Sequence, residues 1–165
     1  MGARTAPFAL LLGAPDLDRA VASVERLTGV KAATGGSHSG MGTRNALVSL
    51  GGQQYLEIIA PDPRQTSFSF QTDIRTLAEP KLIGWAARTN DIVSLAKRTR
   101  EGGNQIFAGA VHPAQDSPKG CQLQSFEIEH PDPVKRLGIQ AEVKLSKGAG
   151  FAAVLSSPKG RVELR

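Results

Sequence analysis

The stretch His38-Ser39-Gly40-Met41-Gly42-Thr43-Arg44-Asn45-Ala46-Leu47-Val48-Ser49-Leu50-Gly51-Gly52-Gln53-Gln54-Tyr55-Leu56-Glu57-Ile58-Ile59 carries a polar glycine loop into a strand, a turn and a second strand. Gly40 and Gly42 permit positive φ or a close backbone approach to a ligand. Gly51-Gly52, between two β-rich runs, reads as a two-residue hairpin turn. Glu57 interrupts an otherwise apolar second run. Strand alternation sends it either to solvent or into a cavity, where a carboxylate needs a metal, a cation or a proton.

Towards the N-terminus, residues 6–13 read as a buried strand, with no apolar region long enough for a cleaved leader. Asp16 is placed to cap a helix, with Asp18 in its first turn. Leu17, Ala20, Val21, Val24 and Leu27 recur at helical spacing, and Gly29 is the expected left-handed stop. A strand begins at 30–33, a glycine loop fills 35–42, and the hairpin occupies 45–60. The first module, about 6–63, is therefore β-α-β-β-β, closed by Pro61-Asp62-Pro63. Residues 64–80 are polar, anchored by Phe68, Phe70, Ile74 and Leu77, with a short helix expected over 72–78.

Towards the C-terminus the order recurs weakly. Residues 81–89 read as a strand. Asn90 caps a second helix with Ile92, Val93, Leu95 and Ala96 on its apolar side, ending near Gly102-Gly103. Residues 105–111 read as a strand and 112–120 as a loop. Strands are expected at 121–128, 141–145, 150–155 and 162–164, with a turn at 129–133. Glu163 falls in the last strand much as Glu57 does in the first module.

The 165 residues suit one domain, 1–165, with its second, irregular part at about 81–165. The net charge of +5 is spread without a stripe, and aromatic residues make up only 5 %, so no stacking platform for nucleic acid is expected. No apolar run approaches membrane-spanning length. Cys121 is the single cysteine, which rules out an intrachain disulfide and fits a reducing, cytoplasmic setting. There is no dinucleotide fingerprint, phosphate-binding loop, Cys-x-x-Cys, His-Glu-x-x-His or nucleophile elbow.

The His38-x-Gly-x-Gly-Thr43-x-Asn45 loop, Leu27-Thr28-Gly29-Val30 and Tyr55-Leu56-Glu57-Ile58-Ile59-Ala60-Pro61-Asp62-Pro63 resemble the glyoxalase-like domain of the vicinal oxygen chelate superfamily. Segments from Gly84-Trp85, from Ile128-Glu129-His130 and from Pro158-Lys159-Gly160 resemble its later parts. The resemblance implies an α+β fold of paired βαβββ modules, with curled mixed sheets around a cavity. In metal-dependent members a divalent ion (here Mn, Fe, Ni or Zn) is held by a first-strand histidine and a last-strand glutamate of each module. Glu57 matches a glutamate position and Glu163 matches one more loosely. The first-strand histidine position falls near Ala9, and its later counterparts fall near Gly84 or Ser125, so the imidazoles are missing.

The resulting expectation is binding or transformation of a small oxygen-bearing metabolite, as a lyase, isomerase or dioxygenase. Glu57 would be base or metal ligand and His38 a proton-transfer group. Thr43, Asn45, Trp85 and His112 would contact substrate, and Glu163 would be a second metal ligand. Each has a plainer reading: Glu57 a strand glutamate, His38 a loop histidine, Thr43 and Asn45 turn residues, Trp85 core, and His112 and His130 pre-proline loop residues. Asp16, Asp62 and Asp132 read as caps and turns. Ala9 favours the alternative of a metal-free, non-catalytic binder; the stretch between the second helix and Cys121, shorter than the resemblance implies, favours a partner-binding module. The resemblance also brings an expectation of a homodimer.

Overall fold

The computed structural model describes residues 7–87, 116–130, 142–145 and 150–165. The first helix starts where the capping logic places it. Asp16 accepts a hydrogen bond from the Arg19 N–H at 2.9 Å, and α1 runs over Leu17–Thr28. Gly29, at φ 77°, ends it by donating its N–H to Glu25 O. Leu17, Ala20, Val24 and Thr28 form the buried stripe. Leu27, expected on that stripe, is 39 % exposed, because the buried row steps from Val24 to Thr28, whose hydroxyl bonds back to Val24 O.

Around α1 the order is β1 (Pro7–Gly13), α1, β2 (Ala33–His38), β3 (Thr43–Ser49) and β4 (Tyr55–Pro61), the expected βαβββ arrangement. β5 (Lys81–Ala87) joins the same sheet, whose order is β2-β3-β4-β1-β5. The sheet is mixed: β1 runs parallel to β4 and antiparallel to β5. A single 3-10 turn, Ile74–Thr76, stands where a short helix was expected. The second sheet has order β7-β6-β8-β9, from β6 (Gln122–His130), β7 (Glu142–Leu145), β8 (Gly150–Ser157) and β9 (Gly160–Leu164). Its β6–β8 and β8–β9 antiparallel pairs repeat the β2–β3 and β3–β4 pairs, with β7 added parallel to β6. The end of β9 returns to β5, where the Leu82 N–H donates to Arg165 O at 2.8 Å. The α+β class with curled mixed sheets and few helices is thus the one expected. The second helix and the 105–111 strand lie outside the described residues. The turn expected from residue 129 gives way, for Glu129 and His130, to continued pairing of β6.

One core joins both sheets and α1. Leu10, Leu12, Val48, Leu56 and Ile58 of the first sheet meet Phe126, Ile128, Leu155 and Leu164 of the second. Their burial, at about 25 cal/mol per Å² of apolar surface, is the main force holding the sheets together. Phe126 stacks on Phe151 with ring centroids 6.1 Å apart, and Trp85 meets Phe126 edge-on at 6.5 Å.

β4 has no solvent face. Leu56, Ile58 and Ala60 point into the shared core, while Tyr55 and Ile59, on the opposite face, are buried as well. On that second face Tyr55 packs with Ala9, Leu47 and Ala86, and Ile74 lies against Gly13. Among the described residues no helix is long and apolar enough to cross a membrane.

Candidate functional site

Glu57 sits on this second, largely buried face of β4, between Tyr55 and Ile59, with its side chain 15 % exposed. It is therefore not a solvent-facing strand glutamate. Its neighbours across the sheet are Leu11 on β1 and Leu47 on β3. Asn45 lies one pleat further along β3, on the same face.

The turn between β3 and β4 brings Asn45 and Glu57 to one face. A two-residue Gly51-Gly52 turn would pair Leu50 with Gln53 and put Asn45 and Glu57 on opposite faces. Instead Leu50 and Gln54 bracket a three-residue loop: Leu50 N–H donates to Gln54 O at 2.8 Å, and Gln54 N–H to Gly51 O at 3.0 Å. Gly51 and Gly52 both have positive φ, 88° and 55°. The extra residue shifts the register by one, so that Leu47 faces Glu57.

β2 supplies the rest. Gly35 and Gly36, expected in a loop, belong to this strand. Its pairing with β3 is irregular between Thr34 and Ser37, and the Asn45 amide fills the gap. The Gly36 N–H donates to Asn45 Oδ1 at 2.8 Å. Asn45 Nδ2 donates to Glu57 Oε1 at 2.8 Å and lies 3.2 Å from His38 Nε2. His38 Nδ1 lies 2.9 Å from the hydroxyl of Thr43, which is fully buried. His38 Nε2 and Glu57 Oε1 are 3.6 Å apart. Thr43, His38, Asn45 and Glu57 therefore form one connected polar chain across three strands.

The loop between β2 and β3 is clasped from outside by residues 62–69. Gln65 Oε1 accepts from the Gly40 and Gly42 N–H groups, and the Ser69 hydroxyl donates to Gly40 O at 2.7 Å. Asp62, expected as a simple turn residue, is a buried anchor. Its carboxylate accepts from the Arg64 guanidinium and N–H, from the Ser37 hydroxyl at 2.6 Å and from Gln65 Nε2. The Arg64 side chain, then Ser37, then the Arg64 N–H hold this carboxyl well below the usual carboxylate range. Tyr55, beside Glu57, is pushed up to about 12 by burial and then by the Glu57 charge, so its phenol keeps its proton at neutral pH.

The other expected residues fall elsewhere. Trp85 pairs with Leu10 and packs against the shared core, while Gly84 and Ala86, on the Glu57 face, flank it. Glu163 is an exposed residue of the second sheet, ion-paired to Arg165 at 2.7 Å and Arg161 at 4.0 Å. His112 lies outside the described residues. Cys121 is buried, with its thiol pushed up by burial and partly offset by a hydrogen bond with Thr28, which makes it a core residue. An open groove of about 790 Å³ between the β3–β4 turn and the start of β6 contains none of the Glu57 cluster.

A divalent ion finds a poor donor set here. Its nearest ligands would be His38 Nε2 and Glu57 Oε1, and both of those lone pairs face the Asn45 Nδ2 hydrogens. Ala9, at the position of the expected first-strand histidine, is buried on this same face, paired with Tyr55. Among the described residues no group of three or more His, Cys, Asp or Glu is disposed to hold a metal. The described residues do not fit the ion.

Residues 10–125 match the family model described as a glyoxalase-like domain. Among solved structures, methylmalonyl-CoA epimerase in complex with methylmalonyl-CoA and NH4+ is similar at 16 % identity, covering 90 % of this chain and 99 % of that chain with a TM-score of 0.47. Comparison with curated proteins gives no match.

Proposed function

The chain belongs to the glyoxalase-like domain family, and from that premise we propose that it binds a small oxygen-bearing metabolite over β4 and exchanges a proton with it at Glu57. The observation that carries this reading is the near-buried Glu57 carboxylate, whose Oε1 is held by a neutral amide at 2.8 Å with an imidazole at 3.6 Å. A carboxylate held in place beside an amide and an imidazole, on a mostly buried face, has the geometry to take a proton from a ligand laid against it. Asn45 keeps Oε1 in place. Tyr55, protonated at neutral pH, is a phenol on the same face. His38 and Thr43 extend a hydrogen-bonded path away from Glu57 towards the clasped loop. This arrangement suits removal of a proton beside a carbonyl, a lyase or isomerase step, better than oxygen chemistry at a metal, for which the described donors are too few. We place the protein in the cytoplasm, in keeping with its single buried cysteine, and carry a homodimer as part of the same reading.

The test is hydrogen exchange into a panel of small 2-oxo acids and hydroxyketones in D2O, followed by NMR. The wild-type protein should catalyse exchange of the C–H beside the carbonyl for at least one compound, and Glu57→Gln should abolish it. A second reading, favoured by Ala9, is stoichiometric binding without turnover. It predicts ligand-induced thermal stabilisation of both proteins and no exchange in either.

A further inference from the structure

We infer that Asn45 is a positioning residue that stands where a cation would otherwise bridge Glu57 and His38, and that it fixes the neutral His38 ring with its proton on Nδ1. A backbone N–H can only donate, and Gly36 N–H points at the Asn45 side chain at 2.8 Å, so that atom is the amide oxygen. The amide nitrogen therefore faces the other way, and its two hydrogens have two acceptors within reach: Glu57 Oε1 at 2.8 Å and His38 Nε2 at 3.2 Å. To accept, Nε2 must carry a lone pair, which leaves the ring proton on Nδ1, directed at the Thr43 hydroxyl 2.9 Å away. Every hydrogen-bonding atom of the amide is then used once, and the polarity of the whole chain follows from one backbone N–H.

The space for this arrangement is built into β2. A Cβ on Gly35 would lie 2.0 Å from Asn45 Oδ1 and 2.9 Å from its Cγ, so only glycine admits the amide. The positive end of the amide dipole sits between a carboxylate oxygen and an imidazole lone pair, as a metal ion would. It offers no Lewis acidity, so Glu57 is left available to a small-molecule ligand rather than to a metal. That last consequence rests on the proton-transfer reading above; the tautomer does not.

The test is two-bond 1H–15N NMR of the imidazole signals on the ligand-free protein, with His38 assigned by its disappearance in His38→Gln. Wild type should show a protonated Nδ1 and a bare Nε2 for the neutral ring. The opposite tautomer overturns the inference, whether or not the protein turns over any substrate. Asn45→Leu keeps the bulk and removes the donor. The ring should then lose its Nδ1–H form in favour of Nε2–H facing Glu57. An unchanged Nδ1–H signal in that variant would assign the tautomer to Thr43 alone and overturn the role of Asn45. Should Asn45→Leu not fold, Thr43→Val decides the role of Asn45: a retained Nδ1–H supports it, and a switch to Nε2–H overturns it.

Discussion

Replacing Gly35 with alanine should damage the site out of proportion to the one methyl group added. Gly35 does not have positive φ, so the backbone itself tolerates alanine. The new Cβ would lie 2.0 Å from Asn45 Oδ1 and 3.3 Å from Asn45 O, and the first of these distances is far inside contact. The strand pairing holds the backbone, so the amide must swing away. It then gives up its bonds to Gly36 N–H, Glu57 and His38. A neutral hydrogen bond is worth about 0.5–1.5 kcal/mol net and one to a charged group about 1.5–3. Water can reach the vacated atoms in part, since Asn45 is 9 % exposed. The expected loss is therefore about 2–4 kcal/mol. Gly36→Ala is the control: its Cβ meets nothing within 4 Å, so its effect should stay within about 0.5 kcal/mol, or be mildly stabilising through the unfolded chain. Asn45→Ala should cost about as much as Gly35→Ala, because it strands the same partners. In the double variant the clash is gone, so the two costs should not add. Urea denaturation followed by the fluorescence of Trp85, the single tryptophan, which packs against the shared core, reads all four proteins. A Gly35→Ala protein as stable as Gly36→Ala, or additive costs in the double variant, would show that Gly35 is not what admits the Asn45 amide.

Tyr55 is the only tyrosine, so a near-ultraviolet titration should show a single phenol ionising near 12, and Glu57→Gln should move it part of the way back towards 10.0, since burial is the larger cause. Because the fold favours the protonated phenol, this group's contribution to stability is full below pH 10.0 and falls away as pH rises towards about 12. Asp62 has the opposite sign. Its carboxyl is depressed in the folded protein, so its contribution is full above the ordinary value of 3.8 and is lost as pH falls below it. The stability gap between wild type and Asp62→Asn, measured by urea denaturation across that range, should therefore close on acidification; a gap that widens would show that Asp62 is not held ionised by Arg64 and Ser37.

The parts of the fold set by local chemistry were legible in the sequence. The cap at Asp16, the stop at Gly29 and the strands after Cys121 follow from side chains acting on their own segment. What was not legible depends on register and on distant partners. A Gly-Gly pair signals a turn but does not distinguish a two-residue from a three-residue loop, and that one residue decides whether Asn45 and Glu57 share a face. Trp85 reads from sequence as either a substrate contact or a core residue, and plain alternation from the buried Leu82 would put it on the Glu57 face. The shift between the Leu11–Gly84 and Leu12–Leu82 pairs skips Ile83 and turns the indole into the core. Gly35 and Gly36 read as loop because glycine has low strand propensity; their place in β2 is explained by the Asn45 side chain, nine or more residues away. Asp62 carries no local mark of its burial, since Ser37, one of its strongest partners, lies 25 positions earlier. The loop motif contains His38, Thr43 and Asn45 and the Tyr55–Pro63 run contains Glu57, but neither states that the four side chains meet or in what order they bond.

An amide, not a metal ion, joins Glu57 to His38. The most direct test of this is the metal content of untagged protein by mass spectrometry, before and after incubation with Mn, Fe, Ni and Zn salts, beside Glu57→Gln. Well below one metal per chain is expected in both proteins, with no difference between them. Near-stoichiometric metal in the wild type that is lost in Glu57→Gln would contradict it, and would mean that Asn45 yields its place to an ion.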